Sequence, residues 1–158
     1  MDNVKPAPGV MESVRAFFIK YVDFHSRSRR AEYWKVVLFN ILVYIPLGII
    51  LGGSMTEVLP YVGTELDTTT FVSRLDGTAK TVLALYSLYY FICLIPSWAL
   101  MVRRLHDIGL SGWFLLLFVV LGFVPYLNIL SGIVLLALMC IDSKRTPNRW
   151  GESPKYIL

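Results

Sequence analysis

The sequence predicts an all-α membrane protein with four transmembrane helices preceded by an interfacial amphipathic helix. Three observations carry that prediction. First, charges are fenced off from long uncharged stretches. No Lys, Arg, Asp, Glu or His lies between Val36 and Thr56, between Thr81 and Val102, or between Ile108 and Ile141. A helix needs about 20 apolar residues to cross a hydrocarbon core of roughly 30 Å. Second, the 158 residues are 56% hydrophobic and 16% charged, where a soluble domain carries about 25% charged residues. Third, the basic residues alternate along the chain between rich and poor segments.

Each element follows in order. Residues 1–9 contain Pro6 and Pro8 and no apolar run, which predicts a disordered tail. No h-region follows Met1, so a signal peptide is not expected. Val10, Met11, Val14, Phe17, Phe18 and Tyr21 then recur at helical spacing, with Glu12, Arg15 and Lys20 between them. This predicts a helix lying in the membrane surface, aromatics down and charges up. A helix packed against other parts of the protein is the alternative. The first span is expected from Trp34 to Gly53, with Pro46 and Gly48 kinking it, which membrane helices tolerate. A polar loop from Ser54 to Lys80 follows, and the second span runs from Thr81 to Val102.

The last uncharged stretch, Ile108 to Ile141, is 34 residues long. It is too long for one span and short for two plus a turn. Pro125-Tyr126-Leu127-Asn128 is the turn signal inside it. Splitting there predicts helices at Ser111–Val124 and Leu127–Ile141, each about 20 Å long. Such short helices call for local bilayer thinning or a partly re-entrant hairpin. The whole of 10–154 reads as a single four-span membrane domain, with 155–158 as a C-terminal tail.

Counting basic residues sets the topology. Seven Lys/Arg lie up to Lys35, and the Ser54–Lys80 loop has two against four acids. Arg103 and Arg104 sit in the link after span two, the Pro125 turn has none, and four follow Ile141. By the positive-inside rule both termini are cytoplasmic. A three-span chain would place the C-terminal basic cluster outside.

Three clusters hold most of the chemically distinctive residues: Asp23 to Trp34, Arg103 to Trp113, and Pro147 to Pro154. The predicted topology brings all three to the cytoplasmic face. His106-Asp107 has the residue types of an acid–base pair, but neighbours on a helix point about 100° apart. A structural network with Arg30, Glu32 or Arg104 is the stronger expectation. Arg27, Arg29, Arg30, Arg103 and Arg104 suit phosphate headgroups, which guanidinium groups bind bidentately. The plainer reading is topology determination plus ion pairs with Asp23, Glu32 and Asp107. Gly109 and Gly112 flank Ser111 and predict a tight helix-to-helix turn. Trp34, Trp113 and Trp150 with Tyr33 suggest an interfacial aromatic belt, with a quaternary-ammonium cage as the rarer use.

Other classes are disfavoured. Cys93 and Cys140 lie in apolar stretches and read as small hydrophobes. His25 and His106 are the only histidines and lack ligand spacing, so neither metal nor cofactor is expected. The net charge of +4 is placed beside apolar spans, which points to membrane lipid rather than nucleic acid. No ionisable residue lies mid-span, against an ion-coupled transporter.

The clusters also carry a resemblance. Arg27-x-x-Arg30-x-Glu32-Tyr33-Trp34, then Arg103-Arg104-Leu105-His106-Asp107-x-Gly109-x-Ser111-Gly112-Trp113, then Asn148-Arg149-Trp150-Gly151 resemble the bacterial inner-membrane family called domain of unknown function 805. The likeness covers about Phe17 to Pro154. Ser26 stands where the family usually has Gly, and Glu152-Ser153 replaces its usual Pro-Asp. The resemblance implies a four-span inner-membrane protein and no established activity.

The expected function is therefore non-enzymatic. A cytoplasmic-face network of Arg27, Arg30, Glu32, Trp34, Arg103, Arg104, His106, Asp107, Ser111, Trp113 and Asn148 would hold the helices and bind anionic lipid or a membrane partner. One alternative is an oligomeric channel or carrier lined by Thr81, Ser87, Ser97, Asn128 and Ser131. Another is a lipid-headgroup enzyme using His106 and Asp107.

Overall fold

A computed structural model describes residues 4–54, 73 and 75–157. Most of the predicted Ser54–Lys80 loop lies outside the described residues. Five helices are described: α1 (Val10–Ile19), α2 (Arg30–Ser54), α3 (Gly77–Asp107), α4 (Trp113–Gly122) and α5 (Leu127–Cys140). Among the described residues no strand forms, only isolated bridges at Val4–Tyr156 and Asn148–Gly151. The chain divides into two compact units. One comprises the residues up to Leu38 and from Leu94 onward, the other Phe39–Cys93.

The helix ends follow local chemistry. Glu12 accepts from the Gly9 N–H at 2.8 Å, which satisfies a free donor at the start of α1. Asp76 accepts from the Ala79 N–H at 2.6 Å and so caps α3. At the other end of α3, the Gly109 N–H reaches the His106 carbonyl at 3.0 Å and the Leu110 N–H reaches Leu105 at 2.9 Å. Gly109 has φ +86°. This is a Schellman stop, with Gly in the left-handed position and Leu110 packed back near Leu105. The helix-to-helix turn expected at Gly109 and Gly112 is therefore present.

Two helices, α2 and α3, are long and apolar enough to cross a membrane. Both extend past the predicted spans. α2 begins at Arg30 rather than Trp34, and α3 runs from Gly77 to Asp107 rather than from Thr81 to Val102. Arg103 and Arg104 thus stand on the last turns of α3, not in a link. A hydrocarbon-length reading stops at the first charge, whereas the backbone ladder continues until glycine ends it. α4 has 10 residues and α5 has 14, about 15 and 21 Å long. Both are predominantly apolar, with Leu116, Leu117, Ile133 and Leu136 exposed, a pattern that suits lipid rather than water. The turn between them falls at Pro125-Tyr126 as expected, and Tyr126 has φ +66°.

The unit holding both termini has its core at Leu105, Ile108, Leu115 and Met139, flanked by Tyr33, Trp34, Leu135 and Leu138. α1 buries Ser13, Val14 and Phe17 against this unit and exposes Met11, Phe18 and Ile19. Its aromatics therefore divide: Phe17 packs inward on protein and Phe18 faces out. Residues 4–9, predicted as a tail, run beside the C-terminal segment. The Lys5 N–H donates to the Lys155 carbonyl at 2.9 Å, and Arg29 donates to the Pro6 carbonyl at 2.8 Å.

The Phe39–Cys93 unit is held by aromatic and polar contacts between α2 and α3. Tyr44 packs on Tyr86 and Tyr89 at 5.0 and 5.1 Å, and the Tyr89 hydroxyl donates to Asn40 at 2.7 Å. Leu75 and Ala79 pack with Leu51 and Leu83. Of the residues suggested to line a pore, the Thr81 hydroxyl donates back to the Gly77 carbonyl. Ser131 donates back to Asn128.

Candidate functional site

The site centres on Asp107, whose carboxylate is fully buried. Its Oδ1 meets Arg27 at 3.1 Å and its Oδ2 meets Arg104 at 2.6 Å, with all three side chains at most 2% exposed. Asp107 and Arg104 share one face of α3 at i,i+3 spacing. Arg27 arrives from the segment between α1 and α2. Its Nη1 donates to the carbonyls of Thr146 and Gly151, and its Nη2 to those of Asp107 and Lys144. Every N–H of that guanidinium therefore has an acceptor, which is what a buried cation requires. One residue ties the start of the chain, the end of α3 and the C-terminal segment together.

A second set of arginines closes α5. Arg104 donates to the carbonyls of Met139 and Ile141, and Arg30 to that of Cys140 at 3.2 Å. These carbonyls have no partner within the helix, and cations there are favoured by the helix dipole. Asn148 donates to the His106 carbonyl at 2.8 Å and accepts from the Trp150 N–H at 3.0 Å. It thereby joins the C-terminal turn to the end of α3. That turn closes through paired Asn148 and Gly151 backbone bonds, with Gly151 at φ +111°.

The predicted site residues thus divide. Arg27, Arg104 and Asp107 form the buried network, with His106 beside it and the half-buried Asn148 bonded to the His106 carbonyl. Arg30 joins through the α5 carbonyl. Glu32 accepts from the Ser28 hydroxyl at 2.6 Å. Arg103 is buried, donates to the Ala99 carbonyl at 3.3 Å and lies in the fields of Asp23 and Glu32. Trp34 belongs to the core, its ring edge-on to Tyr33. His106 and Asp107 do not pair: the carboxylate faces two arginines, and the imidazole stacks on Trp150 with centroids 4.1 Å apart and planes 11° from parallel.

The Arg149 guanidinium also lies over Trp150, 4.0 Å from the ring centroid. Trp150 thus packs against both His106 and Arg149. Beside this stack opens a cleft of about 690 Å³ lined by His25, His106, Ser111, Trp113, Arg149 and Trp150, among others. Trp113 is 78% exposed at the first residue of α4.

Asp23 organises the turn before Arg27. It is partly desolvated, which pushes its pKa up. Hydrogen bonds from the Ser26 hydroxyl and from the N–H groups of His25 and Ser26, with Arg103 nearby, outweigh this and hold it down at about 2.

Sequence reasoning did not single out Arg149 and His25 as site residues, because nothing in their spacing along the chain brings either to His106 and Trp113. It placed Trp150 in a belt, although that ring stacks inside the cleft. The weak signal for the pairing was the Asn148-Arg149-Trp150-Gly151 run itself.

The chain is 34% identical over 136 residues to "Inner membrane protein YhaI" of Escherichia coli K12, covering 86% of this chain and 89% of that protein. It is 30% identical over 135 residues to "Inner membrane protein YhaH" of the same organism, covering 85% and 89%. No solved structure matches. The family described as protein of unknown function DUF805 matches residues 21–152, so the chain belongs to that family.

Proposed function

We propose that this is a multi-pass bacterial inner-membrane protein, non-enzymatic, with both termini cytoplasmic and a basic face that binds anionic lipid. The observation that carries the reading is the Arg27–Asp107–Arg104 cluster. It spends its charge inside the protein and fastens three segments into one surface. Arg30, Lys144, Arg145 and Arg149 remain exposed on the same unit. A basic surface at the ends of membrane helices attracts anionic headgroups at about 1 kcal/mol per cation. With its carboxylate held by arginines, Asp107 has no oxygen left to orient His106, which weighs against acid–base catalysis.

The proposal includes four crossings, α4 and α5 forming the last two. The turn between them exposes Phe123 and Tyr126. Exposed irregular backbone is not tolerated in hydrocarbon, so the turn reaches the far interface across a thinned bilayer.

The test is native mass spectrometry of the protein in nanodiscs of mixed phosphatidylglycerol and phosphatidylcholine. Selective retention of phosphatidylglycerol supports the reading. Equal retention of both lipids would sink it.

A further inference from the structure

We infer that the cleft beside Trp150 is a binding site for a phosphate group, entered by a lipid headgroup; this rests on the lipid-binding reading above. The lining brings one arginine and two histidines together, and no carboxylate faces them among the residues that form the cleft. Asp107, the adjacent acid, is already neutralised by Arg27 and Arg104. Arg149 is exposed and held over Trp150, so its fork is oriented while its donors stay open to a ligand. Guanidinium–phosphate pairs are charge-assisted and bidentate. The positive N-terminal end of α4 opens on the same cleft through Ser111 and Trp113, and it favours an anion there.

Depth argues for a headgroup. Trp113 is exposed where an apolar helix begins, the position of an interfacial tryptophan. From it Phe114 and Leu117 continue as exposed apolar surface along α4. A phosphate in the cleft would thus have acyl chains running beside that helix. His106 is almost fully buried and stacked beneath the site. It supports Trp150, while His25 at the rim is exposed and free to reach a phosphate oxygen.

The experiment titrates full-length protein in neutral detergent with phosphatidylglycerol, phosphatidylcholine and glycerol phosphate, read by native mass spectrometry. Wild type is compared with Arg149→Gln, His25→Gln and Arg15→Gln. Arg15 is an exposed cation on α1 that does not line the cleft. Arg149→Gln is expected to weaken phosphatidylglycerol binding about tenfold or more, as loss of a charged hydrogen-bonded pair does. His25→Gln should weaken it less, and Arg15→Gln should leave it unchanged. Both cleft variants change exposed side chains, and an unaltered melting curve confirms their fold.

Glycerol phosphate binding with the same Arg149 dependence supports the phosphate site and assigns it a soluble occupant. Equal weakening by all three variants, or none by Arg149→Gln, overturns the cleft assignment. If wild type still prefers phosphatidylglycerol over phosphatidylcholine in that case, the broader lipid reading stands. If wild type shows no such preference, the broader reading falls, and the glycerol phosphate titration alone decides the cleft.

Discussion

Asp107 shows what a buried charge demands. Its two oxygens face two guanidinium groups, and the excess positive charge is spread over backbone carbonyls at the ends of α3 and α5 and in the C-terminal segment. Removing one member leaves the others buried and unpaired. Asp107→Ala is therefore expected to destabilise by about 3–5 kcal/mol, seen as a large fall in melting temperature in detergent. Arg27→Lys should also destabilise, by about 2–4 kcal/mol, because lysine has three donors on a point charge and cannot fill a planar fork. A melting temperature unchanged by Arg27→Lys would contradict the geometry. Asp23 gives a pH test. Its pKa is held at about 2, below its ordinary 3.8. Its hydrogen bonds therefore stabilise the turn fully above pH 3.8, and that stability is lost as pH falls through about 2. An NMR titration of the Ser26 amide should show that low midpoint in wild type and none in Asp23→Asn.

The elements obey two different solvents. α2 and α3 are held in the Phe39–Cys93 unit by aromatic packing and by Tyr89 donating to Asn40. Hydrogen bonds between membrane helices average about 0.6 kcal/mol, so Tyr89→Phe should lower stability only slightly. The α4–α5 pair tests the topology. With Cys93 and Cys140 changed to serine, Tyr126→Cys is expected to react with a membrane-impermeant thiol reagent added from the periplasmic side. Protection there, with reaction after detergent is added, would make the pair a re-entrant hairpin.

Across the whole chain, charge and apolar surface are segregated, and the segregation does two jobs. Two of the uncharged stretches form helices long and apolar enough to cross a membrane. The charged ones divide between an internal network and an exposed basic surface. Residues 4–8 belong to the internal side of that division, since Arg29 and Lys35 donate to carbonyls of Lys5, Pro6 and Pro8. Deleting residues 1–8 leaves the buried Arg29 without those acceptors. The melting temperature should drop by about 2–4 °C, the effect of roughly 1 kcal/mol at this length.

Composition and charge spacing by themselves determined that the chain is helical, that it has segments long enough to cross a bilayer, and where the turn at Pro125 falls. Those properties depend on solvent and on local backbone chemistry, and both are written in sequence order. The glycine stop after α3 was legible for the same reason. What only the tertiary structure decided is which charge meets which. Arg27 and Asp107 are 80 residues apart. Spacing along a helix can bring Arg104 to Asp107, but not Arg27, nor His106 to Trp150. Long-range pairing depends on how segments pack, and packing selects among many arginines the few whose donors all find acceptors.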